Sequence, residues 1–236
     1  GYDYANAILC YNQLQQEFGS FDFIYYSRSQ CYNEIGNTEH AIADITKCIE
    51  LGDGKDYYAI ISRADYYREG GQYKEAIADF TKGIELDPTN IEAYYRRGWC
   101  YELSGDDDSA MKDYNAGIDV DKNCPYIFLM RGKLYLKRGK KEKANTDFEE
   151  VIRQDTVAEN GSCRQYALHF LERDAEALEW MDKIIAVDST RSGGYYDKSC
   201  LLARMGRLDE SVAALRKAFE KGYRSFAHIE HDDDID

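Results

Sequence analysis

Residues 76–86 read AIADFTKGIEL, and residues 41–51 read almost the same, AIADITKCIEL. Working outward from this pair, the same frame returns as AMKDYNAGIDV at 110–120 and ANTDFEEVIRQ at 144–154, so Ala41, Ala76, Ala110 and Ala144 are spaced 35, 34 and 34 apart. Five residues before each alanine stands a glycine: Gly36, Gly71, Gly105 and Gly139. Twelve residues before each alanine stands a small residue: Ser29, Ala64, Gly98 and Gly132. A fixed period of this length, punctuated by glycine, predicts one helix, a tight turn and a second helix per unit.

The columns have a packing logic. Small residues at one level let two helix backbones approach, and large residues around them fill the groove. The large columns are Tyr25, Ile60, Tyr94 and Phe128 early in the first helix and Tyr32, Tyr67, Tyr101 and Tyr135 late in it, with Ile45, Phe80, Tyr114 and Phe148 in the second. Leu86-Asp87-Pro88 closes one unit where proline cannot continue a helix.

This pattern resembles the tetratricopeptide repeat family, whose helix-turn-helix unit carries small residues, aromatics and a late proline at these places. The resemblance implies an all-α fold, a right-handed α-solenoid or superhelix of antiparallel helix pairs, as a single solenoid over 1–236. The units fall at 22–55, 57–90, 91–124 and 125–158. A degenerate fifth at 159–191 keeps Ala177, Met181 and Ile184 but has Glu172-Arg173-Asp174 in place of the glycine turn. A sixth, 192–225, has Tyr195, Ser199, Gly206, Ser211, Leu215 and Ala218, and an acidic end follows at 226–236. Residues 1–21 read as half a repeat, because Ala7 and Tyr11 lie 34 before Ala41 and Ile45. The chain therefore reads as an excerpt from a longer protein.

One charged column departs from the family. Arg28, Arg63, Arg97 and Arg131 stand where an apolar residue is usual, and Asp44, Asp79, Asp113 and Asp147 each follow the alanine by three. An ion pair joining the two helices of each unit is expected, with anion binding as the alternative; a planar guanidinium suits such partly buried pairs. In the sixth unit the same places hold Lys198 and Ala214, which cannot pair in this way.

Composition limits the partners. Of 236 residues, 44 are Asp or Glu and 30 Lys or Arg, a formal charge of −14. That field disfavours nucleic acid and anionic lipid. No run approaches the roughly 18 apolar residues of a membrane span, so no insertion is expected. The chain is expected to be soluble, with the compartment left open between the cytoplasm and the exported or periplasmic space. Seven cysteines without a CxxC pair suggest neither a zinc site nor a disulfide framework.

No catalytic residue, metal site or cofactor is expected. Cys163 and His169, six apart, would lie roughly 240° apart around one helix, on different faces. His40 is expected to face water at the start of a helix. His228, Glu230 and His231 sit in the solvated acidic end, and Asp106-Asp107-Asp108 lacks a calcium loop's spacing and reads as a helix cap.

Function is then expected on the concave face that first helices line in a solenoid. Its residues are Phe23, Tyr26, Gln30 and Asn33; Tyr58, Ile61, Asp65 and Arg68; Glu92, Tyr95, Trp99 and Glu102; Tyr126, Leu129, Lys133 and Lys137; then Tyr196, Cys200 and Arg204. Aromatic rings with polar tips suit a peptide groove. The resemblance implies noncatalytic scaffolding by capture of a protein or peptide; the alternative is the recognition arm of a larger multidomain enzyme. Some family members clamp a C-terminal carboxylate, and among the matching positions here (Tyr26, Gln30, Ser62, Glu92 and Arg96) only Arg96 fits. Weak self-association through the incomplete first repeat, by Tyr4, Ile8, Leu9 and Tyr11, is a further expectation.

Overall fold

The computed structural model describes residues 3–157 and 163–223. Among them are thirteen helices and no strand. The acidic end, with His228, Glu230 and His231, lies outside the described residues, as do Gly1 and Tyr2. The contacts divide the chain into two compact units, Gly1–Lys122 and Asn123–Asp236.

The first unit holds α1 (Tyr4–Phe18) and the pairs α2/α3 (Asp22–Glu34, Thr38–Leu51), α4/α5 (Tyr57–Glu69, Tyr73–Leu86) and α6/α7 (Ile91–Leu103, Asp107–Val120). Each helix packs on the next in chain order, from α1 to α7. The second unit holds α8/α9 (Pro125–Lys137, Lys141–Gln154), α10/α11 (Arg164–Phe170, Asp174–Val187) and α12/α13 (Ser192–Arg204, Leu208–Glu220), again packed in sequence. The fold class is all-α, built from antiparallel helix pairs.

The turn between paired helices is the same in all six. Its closing bond runs from the amide after the turn to a carbonyl near the end of the first helix, as from Gln72 to Tyr67 at 2.8 Å and from Arg173 to Leu168 at 2.9 Å. The residue before that amide must be left-handed: Gly71 has φ 72°. In the fifth pair Glu172 takes the position at φ 62°, a conformation costly for a residue with a Cβ. The start of α7 behaves as the acidic run suggests, with Asp106 accepting bonds from the amide and hydroxyl of Ser109.

The small and large columns meet in the core. Ala41, Ala76, Ala110 and Ala144 are fully buried, as are Ile45, Phe80, Tyr114 and Phe148. A Cβ on Gly98 would lie 2.6 Å from the Tyr114 ring, and one on Gly132 would lie 2.5 Å from the Phe148 ring. At these glycines a ring packs directly against the backbone, in the space a Cβ would need. In the last pair, Ser211 in the alanine column donates to the carbonyl of Ser199 in the small column at 2.8 Å, so a hydrogen bond replaces the apolar contact.

The Arg and Asp columns form a ladder. In each of α2/α3, α4/α5, α6/α7 and α8/α9 the arginine Nε and Nη2 donate to both carboxylate oxygens of the aspartate sixteen residues on, at 2.6–2.9 Å. Aromatic columns shield the forks: Arg28 lies 5.3 Å from the Tyr25 ring, and Arg131 lies 5.5 Å from Phe128 and 5.8 Å from Tyr135. The bond to Asp44 is the main reason the Arg28 guanidinium is held above its ordinary value.

Each of the first three arginines also reaches backward. Nη1 of Arg28 donates to Asn12 at 2.6 Å and Gln15 at 2.7 Å on α1, Nη1 of Arg63 to Thr46 at 3.3 Å on α3, and Nη1 of Arg97 to Thr81 at 2.9 Å on α5. One side chain thus ties its own helix to the second helix of its pair and to the preceding pair. The weaker pairs keep parts of this device. Arg164 has Trp180 sixteen residues on instead of aspartate, and its guanidinium sits 4.7 Å from that ring. Lys198 keeps only the backward arm, to Asp182 at 2.5 Å.

Two outcomes follow for stability. Asp147, 5% exposed at its side chain, leaves Arg131 stranded when removed. Asp147→Ala is expected to lose about 3 kcal/mol in urea unfolding, and Arg131→Met/Asp147→Leu to recover most of it. Gly98→Ala gains about 1 kcal/mol of helix propensity. It also forces the Tyr114 ring, pinned by its hydroxyl bond to Glu102, against a new methyl group. Overpacking of about 1–3 kcal/mol should win, so the melting temperature falls rather than rises.

Candidate functional site

The first helices of the unit Gly1–Lys122 gather many of the residues singled out from the sequence. At the start of α2 and α4, an open recess of about 360 Å³ is lined by Asp22, Phe23, Tyr26, Ser27, Cys48, Asp56 and Tyr58. Phe23 and Tyr58 are 56% and 73% exposed, while Tyr26 is half-buried and packs on the core around Tyr25 and Ile45. Phe21 stacks on Phe23 with centroids 6.0 Å apart, and Tyr57 meets Tyr58 edge-on at 5.4 Å. Gln30 is exposed and Asn33 half-buried, further along α2.

Between α4 and α6 the remaining residues form one network. Arg96 donates to Asp65 through Nη1 and to Glu92 through Nη2, the latter at 3.0 Å. Arg68 also donates to Asp65, at 3.4 Å, and its guanidinium lies 4.6 Å from the Trp99 ring. Arg96 lies 5.9 Å from the Tyr95 ring. Burial is the largest single influence on Arg96 and works against its charge, but Asp65, Tyr95 and Glu92 together outweigh it and hold the guanidinium above its ordinary value. Both terminal nitrogens of Arg96 are engaged, so a ligand carboxylate there would have to displace Glu92. Ile61 is taken up by packing: its Cδ1 occupies the place where a Cβ on Gly83 would sit, at 2.5 Å.

In the unit Asn123–Asp236 the face is less open. Leu129 is 5% exposed and belongs to the core, because α8 turns that side toward its neighbours. Tyr196 and Cys200 are likewise buried, at 3% and 1%. Tyr126 and Lys133 are half-buried and Lys137 exposed. Helix α10 has only seven residues, which shortens the face at the fifth pair. Arg204 crosses to it, 5.8 Å from the rings of Tyr166 and Phe170.

Elsewhere the chemistry is muted. Cys163 sits at the start of α10 with 4% exposure, and burial pushes its thiol well up. His169 pairs with Asp174 at 2.8 Å. His40 is exposed and bonds Asn37. Among the described residues no group of three or more His, Cys, Asp or Glu side chains is placed to hold a metal ion, and no helix is long and apolar enough to cross a membrane. On α1, Ile8 is buried, Tyr4 and Tyr11 are half-buried, and Leu9 is 63% exposed: packing onto α2 removes most of the expected free apolar face.

Residues 64–105 match the family described as TPR repeat, and residues 24–51, 91–124, 126–155 and 192–220 match tetratricopeptide repeat. The chain belongs to the tetratricopeptide repeat family. The helix pairs described above are its repeats, stacked as in the α-solenoids of the family, whose members serve as protein-interaction scaffolds. Similar solved structures include a tetratricopeptide repeat protein from Parabacteroides merdae ATCC 43184, with TM-score 0.65 and 17% identity over 97% of this chain and 90% of that one. MamA has TM-score 0.59 and 21% identity over 74% of this chain and 92% of that one. The Cut9–Hcn1 hetero-tetramer of APC/C gives TM-score 0.59 and 12% identity over 96% of this chain and 45% of that one. At such identities the likeness establishes the fold. No curated protein sequence matches the chain.

The arginine ladder was partly legible, since its Arg and Asp columns are regular. Its backward arm was missed, although Thr46 and Thr81 stand 17 and 16 residues before Arg63 and Arg97. The Asp65–Arg96 bond carried no periodic signal.

Burial pushes the Cys48 thiol up to about 11 and that of Cys100 to about 12. At pH 8 such groups hold about one thiolate in a thousand or fewer. Exposed Cys10 is therefore expected to react fast with an aromatic disulfide reagent, and Cys48, Cys100 and Cys163 only after urea. Peptide mass mapping reads the order, and fast native labelling of Cys163 would contradict it.

Proposed function

We propose that the chain is a noncatalytic scaffold that captures a peptide or partner segment on the first-helix face of the repeats in Gly1–Lys122, the side the sequence assigns to the concave groove. The observation that carries this reading is the contiguity of the face. Recess-lining Phe23, Tyr26 and Tyr58 lead along α4 to the Asp65, Arg68, Arg96 and Trp99 network between α4 and α6. Large rings with little rotamer entropy sit beside charged groups already fixed in place, so a bound segment loses little to ordering this surface.

The chemistry of the face favours some ligands over others. A carboxylate-terminated segment meets Arg96 already bonded to Asp65 and Glu92, which disfavours the clamp used by some relatives. Tyr95 and Trp99 suit an aromatic or apolar anchor.

Twelve-residue peptides selected from a random display library against the chain are expected to bind at about micromolar Kd, near −8 kcal/mol. Tyr95→Ala/Trp99→Ala should weaken them at least about tenfold, since buried rings carry much of such interfaces. Circular dichroism verifies that the variant is folded. Affinity unchanged in a folded variant would refute the assignment of this face.

A further inference from the structure

The geometry points to a cation subsite: the recess at the start of α2 and α4 accepts a lysine or arginine side chain of the captured segment. This deepens the reading that the first-helix face binds a segment, and rests on it.

At about 360 Å³ and open to solvent, the recess lies at the lower end of ligand-pocket volumes and has room for one long side chain of a bound segment. Its walls combine two carboxylates, Asp22 and Asp56, with the rings of Phe23, Tyr26 and Tyr58, and its lining contains no cationic residue. Each carboxylate is oriented through one oxygen: Oδ1 of Asp22 accepts from the Phe23 amide at 2.7 Å, and Oδ1 of Asp56 from the Ala59 amide at 3.1 Å. Their Oδ2 atoms make no hydrogen bond among the described residues. Both aspartates stand at helix starts, where the macrodipole supplies about half a positive charge. A full carboxylate outweighs that, so the site stays negative. At the floor, Cys48 remains a neutral thiol, held so by burial and by the charges of Asp56 and Asp22.

The chemistry selects the occupant. Aromatic faces attract cations and accept the methylene stem of a lysine or arginine, while the carboxylates take its charged head. An acidic side chain would be repelled, and an apolar one would strip water from two carboxylates and return nothing to them. The field agrees: 23 acidic and 11 basic residues precede Asn123, against 21 and 19 from there on, so nearly all the net charge of −14 lies on the sequence that carries the recess. A basic segment is therefore steered to this end of the chain.

The test uses the full chain and three fluorescent nine-residue peptides, identical except for lysine, norleucine or glutamate at the centre of a Tyr-Ala-X-Ala-Tyr core. Norleucine keeps the stem and removes the charge. The lysine peptide is expected to bind about tenfold tighter than the norleucine one and more tightly still than the glutamate one. Asp22→Asn/Asp56→Asn should abolish the lysine preference while leaving the fold intact, because asparagine caps α4 at position 56 as well as aspartate does, and Asp22 is an exposed residue that follows the Phe21 cap of α2. Tyr58→Ala, at an exposed ring, should weaken the lysine peptide about threefold or more. Equal binding of lysine and norleucine peptides, or a lysine preference that survives Asp22→Asn/Asp56→Asn, would overturn the cation subsite alone. Failure of all three peptides to bind would overturn the groove reading with it.

Discussion

The structure depends on one interaction repeated in register: an arginine on a first helix held by both oxygens of an aspartate on the second. Buried charge is costly, and a pair such as Arg97 and Asp113 is tolerable only because every partner is in place. Two hydrogen bonds use the planar fork, aromatic columns shield it, and the remaining nitrogen reaches a hydroxyl or amide on the preceding repeat. The result is specificity of register. A helix slipped by one residue would bury a guanidinium without its carboxylate, so the ladder fixes how each helix meets two others.

The weaker repeats show how much of that device can be removed. In the fifth, Trp180 replaces the aspartate, and a cation–π contact takes over from the ion pair. The same repeat has a seven-residue first helix and a non-glycine residue in the left-handed turn. In the sixth, Lys198 lacks a planar fork and makes the backward contact to Asp182, while the Ser211 hydroxyl donates to the Ser199 carbonyl at the old apolar level. Local losses of this kind are survivable in repeat proteins because stability is close to a sum over neighbours.

The candidate binding face uses the same chemistry differently. Asp65, Arg68, Glu92 and Arg96 are held by one another at a partly exposed surface, with Trp99 beneath Arg68. Such a network neutralises its own charges and leaves the rings as the adhesive part. At the start of α2 and α4 the balance changes, since Asp22 and Asp56 line a recess that has no cationic residue in its lining. A single face thus offers an apolar stretch and a negative end.

The sequence by itself determined the helix pairs, their turns and the Arg–Asp ladder. Each rests on residues that recur about every thirty-four positions, and a recurring environment leaves a recurring residue. Much of the candidate face was also legible, because the side of a helix opposite its packing column follows from the helical period. Only the tertiary structure decided which of those side chains remain available. It buried Leu129, spent Ile61 against Gly83 and turned Ile8 into α2. It also joined Asp65 to Arg96 across two repeats and put Asp22 and Asp56 around one recess. These outcomes depend on contacts between neighbouring helices, and a contact made once, between residues that do not repeat, leaves no periodic trace in the chain.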